Sequence, residues 1–132
     1  MKKIIIISTL LFISAIGFAQ IDSIRGNKFG LNGKIIHEIF LTPHCGDTAF
    51  GTVIEFEIIE FSDSNYKLDS IGVIFTCPES FEDGFFEVGK SYTITVADEN
   101  QADFGWSIPN ESMLTKYKLS KKLWVIKAVK NE

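Results

Sequence analysis

Cysteine, histidine, methionine and tryptophan occur only twice each in this chain, and proline three times. With so few thiols and imidazoles, none of the tight zinc-ligand spacings is present. Basic residues are outnumbered as well, 13 Lys and Arg against 17 Asp and Glu, a formal charge of −4. Nucleic acid is excluded as a partner on that ground, because neutralising phosphates needs a basic face. No internal repeat or low-complexity tract interrupts a composition that is 45% hydrophobic and 13% aromatic, which excludes disorder over most of the length. A membrane-spanning helix is also missing. The longest apolar run, Ile4 to Phe18, falls short of the roughly 20 residues such a helix needs.

That run has a different meaning. Lys2 and Lys3 precede it, only Ser8, Thr9, Ser14 and Gly17 interrupt it, and Gly17-Phe18-Ala19 puts small residues at −3 and −1 before Gln20. The layout predicts a secretory signal peptide over residues 1–19. No cysteine adjoins the junction, so a lipid-anchored start is not expected. The mature protein is then Gln20 to Glu132, exported to the periplasm, the cell surface or the medium. About 113 residues make one domain with one hydrophobic core.

The mature part carries a formal charge of −6, unevenly spread. Cys45 to Glu111 holds 14 acidic residues against Lys67 and Lys90, whereas Ser112 to Glu132 holds six lysines against Glu132. Such runs read first as solvated faces or sheet-edge protection, and second as contacts for an acidic partner or surface. Cys45 and Cys77 are an even pair in an exported protein and predict a disulfide. Two free thiols in a metal or redox role are the alternative.

Residues 20–33 are polar, contain Gly26 and Gly30 and show no clear period, so an extended lead-in is expected. Ile35, Ile36, Ile39, Phe40 and Leu41 suggest a strand over 34–42 ended by Pro43. From Phe50 to Phe61 the alternation is strongest: Phe50, Thr52, Ile54, Phe56 and Ile58 share one face, Val53, Glu55 and Glu57 the other. Further strands are expected over 70–76, 91–97 and 123–129. Met113, Leu114 and Tyr117 stand at helical spacing over 110–119, with Asn110 or Ser112 as N-cap. The class is all-β: a five- to six-stranded closed barrel or sandwich with one short helix near the C-terminus.

Several residue sets could carry chemistry. His37, His44, Cys45 and Cys77 could ligate a soft metal or form a thiol–imidazole pair, but adjacent His44 and Cys45 point apart in an extended segment and a nucleophilic thiol must stay reduced. Glu55 and Glu57 could divide acid and base roles; alternation with Ile54, Phe56 and Ile58 reads them instead as the wet face of a sheet. Asp98, Asn100 and Asp103 could offer oxygens to calcium, but Asp103 and Pro109 stand where an EF-hand needs glycine and glutamate. Phe104, Gly105 and Trp106 form a glycine-flanked aromatic loop suited to contact.

Pro43-His44, Thr48-Ala49-Phe50, Val53-Ile54-Glu55-Phe56, Cys77, the step Phe86-Glu87-Val88-Gly89-Lys90-Ser91-Tyr92, and Trp106 followed by Asn110 together resemble the netrin-like (NTR) module. That module is the oligomer-binding-type (OB) barrel also found in tissue inhibitors of metalloproteinases. The resemblance implies a five-stranded barrel and a Cys45–Cys77 link tying the entry segment to a loop. The family's inhibitory mechanism uses a cysteine at the mature N-terminus. Gln20 stands there, with Cys45 25 residues inward, so that activity does not transfer. The expectation is an exported OB-like barrel, non-enzymatic and without cofactor, binding a protein, peptide or glycan through loops at one barrel end. Its contact residues would be His44, Asp47, Phe104 and Trp106.

Overall fold

Period-2 alternation closes this chain into a barrel. A computed structural model describes residues 23–132, with strands β1 (Lys28–Ile35), β2 (Gly51–Phe61), β3 (Ser70–Thr76), β4 (Ser91–Ala97) and β5 (Trp124–Lys130). The signal peptide assigned to residues 1–19 lies outside the described residues. The sheet order is β1-β2-β3-β5-β4, closed by antiparallel pairing of β4 with β1 from Lys28↔Ala97 to Lys34↔Ser91. β3 meets β5 in parallel at Ile74↔Trp124; the remaining pairs are antiparallel. This is the small all-β, OB-like barrel expected.

β2 has 11 residues because it serves two neighbours: Gly51 to Glu57 pair with β3, and Phe56 to Phe61 with β1. Register shifts at Asn32/Gly33 and Thr95/Val96 bend the strands enough to close the cylinder. Inward residues Leu31, Ile35, Ile54, Phe56, Ile71, Val73, Phe75, Tyr92, Ile94 and Val96 form one core. Phe56 sits between Phe75 and Tyr92, with centroids 6.2 and 5.9 Å away.

The expected strand over 34–42 is corrected, and so is the lead-in from residue 28 on; residues 20–22 lie outside the described residues. Residues 28–35 form β1, and the chain from Ile36 to Ala49 is irregular. β1 already has partners on both edges, so the apolar segment that follows has no ladder to join. It folds across the barrel end instead, where Ile39 packs on the core and the Thr52 hydroxyl donates to Phe40 O at 2.8 Å.

The helix over 110–119 is a 3-10 helix, Glu111–Tyr117, and Asn110 makes no side-chain cap. Asn110 has another task. Where β2 runs beyond β1 its edge is unpaired, and the segment from Ser107 covers it. Gly51 N donates to Ser107 O, Val53 N donates to Asn110 Oδ1 at 2.9 Å, and Asn110 Nδ2 donates to Val53 O at 3.0 Å. The amide thus replaces a strand partner.

The same cover overturns the wet-face reading of Glu55. Glu57 is exposed, but Glu55 is only 8% exposed beneath the 3-10 helix, bonded to Tyr117 and Lys116. Tyr117 lies directly on Gly72, where an added Cβ would stand 2.9 Å from Tyr117 Cε2. Gly72→Ala is therefore expected to lift the helix from the barrel and lower the unfolding free energy by about 1–3 kcal/mol. Urea denaturation measures this, and an unchanged midpoint would show that Tyr117 yields freely. Among the described residues no helix is long and apolar enough to cross a membrane.

Candidate functional site

The irregular segments around the two cysteines meet at one end of the barrel. Cys45 and Cys77 are joined as a disulfide, Cα to Cα 5.6 Å, and no cysteine of the chain is free. Pro78–Ser80 forms a single 3-10 turn directly after the bond. The bridge pins the loop after β1 against the loop after β3, and Cys45 N donates to Glu79 Oε1 at 2.5 Å beside it.

Between these loops lies a cavity of about 540 Å³, lined on one side by residues from the 38–44 segment and on the other by residues from the 78–88 loop. Its wall is aromatic. Phe81 stacks on Phe85 at 4.6 Å, and Phe86 meets Phe85 and Phe75 edge-on at 5.0 Å. Tyr92, fully buried, holds that loop in place: its hydroxyl donates to Phe85 O at 2.5 Å and accepts from Glu87 N at 2.8 Å. Burial pushes the Tyr92 phenol up, so it remains a hydroxyl able to donate. Gly89 N donates to Ile35 O, and Ile35 N to Lys90 O, fastening the loop's far end to β1.

Around the aromatic wall stand Leu41 and Val88, both exposed, and the carboxylates of Glu38, Glu79, Glu82 and Asp83. Among the described residues no lysine or arginine lines the cavity, and His44 is its one imidazole. Chemically the site offers apolar area and hydrogen-bond acceptors on a frame fixed by a covalent bond.

The residues singled out from sequence separate into three places. His44 lines the cavity, whereas Asp47 is exposed in the neighbouring turn and does not. Phe104 and Trp106 lie elsewhere, ring centroids 5.0 Å apart, with the Trp106 indole donating to Asn100 Oδ1 at 2.9 Å. Trp106 and Trp124 share a separate cleft of about 200 Å³ with residues 100–102. His37 borders a third, small cavity of about 70 Å³ with Glu55 and Asn110.

The metal set His37, His44, Cys45 and Cys77 is therefore not assembled. Among the described residues the group of ligand-type atoms within 4.8 Å of one another is Cys45, Cys77 and Glu79, and both sulfurs are in the disulfide rather than thiolates. None of Glu79, Phe81, Phe85 and Phe86 is among the contact residues expected from sequence. The one signal that could have found them is the cluster Phe81, Phe85 and Phe86 within six residues of a loop, too apolar to be left in solvent. Compared with protein-family models, curated proteins and solved structures, the chain matches none.

Proposed function

We propose that this chain is an exported, non-enzymatic binding domain of netrin-like type that holds a protein or peptide segment in the cleft beside the disulfide. The observation that carries the reading is the cleft: about 540 Å³, aromatic on one wall, with apolar side chains left exposed at its mouth. Leu41 and Val88 are two of the seven large hydrophobic residues that the described chain exposes, and both line the cleft. Scattered apolar residues need no explanation, but a group around a concavity marks a contact surface. The paired cysteines and the leader pattern support export.

Position-specific photo-crosslinking in the native host tests this. Benzoylphenylalanine at Leu41 or Val88 is expected to trap one discrete partner that the same group at Ile59 does not. Ile59 is a matched control, 63% exposed against 66% for Leu41, and does not line the cleft. Equal trapping at Ile59, or none at Leu41 and Val88, overturns the reading.

A further inference from the structure

We propose that the occupant of the cleft is a cationic segment of a partner protein, an extended stretch in which a lysine or arginine stands beside a bulky apolar residue. The inference rests on the cleft being the contact surface and adds its chemistry. Among the described residues four carboxylates line the cavity, with no lysine or arginine beside them. Lys130 Nζ reaches Gly84 O at 2.8 Å but is paired with Glu87, whose carboxylate is not part of the lining.

Two further observations point the same way. Of the three side-chain oxygens that are shut off from solvent and unpartnered among the described residues, two belong to lining residues, Thr42 Oγ1 and Glu79 Oε2. A buried carboxylate oxygen without a donor is costly to maintain, and an ammonium or guanidinium supplies donors with the complementary charge. Glu79 Oε1 is already held by Cys45 N beside the disulfide, so the carboxylate is anchored at the cavity wall. The aromatic wall adds ring faces that attract a cation and pack its methylene stem. Exposed Leu41 and Val88 then cover the neighbouring apolar residue. An acidic or phosphorylated segment would meet four like charges. A purely apolar one would strip water from them without replacing it.

The test is fluorescence anisotropy on the purified protein with its disulfide intact. The probe is a labelled peptide alternating leucine with lysine and arginine, run beside one with glutamate for the basic residues and one with serine for leucine. The first is expected to bind at least about tenfold more tightly than either other, with the advantage shrinking between about 50 and 500 mM salt. Combining Glu38→Gln, Glu82→Gln and Asp83→Asn, all exposed positions, is expected to weaken it about tenfold without moving the melting temperature. If the glutamate peptide binds as well, if the triple variant binds like the parent, or if no peptide binds, the cationic assignment is overturned. Leu41→Asp separates the two readings. Peptide binding that is charge-independent yet lost in Leu41→Asp keeps the cleft and removes only its charge preference. Binding unaffected by Leu41→Asp removes both.

Discussion

Replacing both cysteines, as Cys45→Ala with Cys77→Ala, is expected to lower the unfolding free energy by about 4 kcal/mol and the melting temperature by about 15 °C. The bond closes a loop across a sequence separation of 32, and loop-closure entropy for that length accounts for nearly 4 kcal/mol. That is a large share of the margin of a small domain. The local effect should exceed the global one. The segment from Ile36 to Ala49 belongs to no strand and is held by few contacts apart from the bridge, among them Thr52 to Phe40 and Cys45 to Glu79. Amide exchange should therefore accelerate over 38–47 well before the strands respond, and binding at the cleft should be lost at temperatures where the barrel still stands. Calorimetry with and without reductant, beside the double variant, measures both parts. A change below about 1 kcal/mol would show that the loops are held by packing alone.

The second large effect is the response to acid. Glu55 is held under the 3-10 helix by the Tyr117 hydroxyl and by Lys116 Nζ at 2.5 Å. Burial alone pushes its carboxyl up, but the Lys116 and Tyr117 hydrogen bonds, the Lys116 charge and the nearby His37 outweigh that and hold it below 4.5. A carboxyl depressed by folding contributes stability above its unfolded value, near 4.5, and that contribution drains away as the pH falls through the lower folded value. Glu55→Gln is expected to be less stable at neutral pH by about 1.5–3 kcal/mol, the scale of a hydrogen bond to a charged group. Its acid limb should be flatter than that of the parent protein. Glu55→Ala should cost at least as much, because the buried Tyr117 hydroxyl then has no acceptor. Identical acid limbs in parent and Gln variant would mean that other carboxylates set the acid transition. On the alkaline side the sign reverses. Burial raises Tyr66 to about 12 and raises Tyr117 further with help from Glu55, so their contribution is lost as the pH climbs past 10.

Glu55 also shows where local pattern stops being informative. It alternates with Ile54 and Phe56 as a solvent-facing residue should, and Glu57, two positions on, is indeed exposed. What buries Glu55 is Tyr117, 62 residues away, and nothing within the strand announces that cover. Asn110 repeats the point. Beside a helical pattern it reads as a cap, but its amide is taken by the backbone of Val53, 57 residues away. β1 was hidden for another reason: glycine takes the inward, buried position 33 and also position 30, so the alternation of Phe29, Leu31 and Ile35 is diluted by residues of low strand propensity.

By itself the sequence determined the all-β class and, to within a residue, the strands read over 50–61, 70–76 and 91–97, and it predicted the pairing of its two cysteines. Strand alternation is a property of neighbours along the chain, and a disulfide needs only two partners. The tertiary structure alone decided which outward face is covered, and it alone brought the Phe81–Phe86 loop opposite Leu41 to make a cleft. Both depend on the order in which strands close into a cylinder, β5 passing between β3 and β4, and a linear pattern with period 2 carries no record of that order.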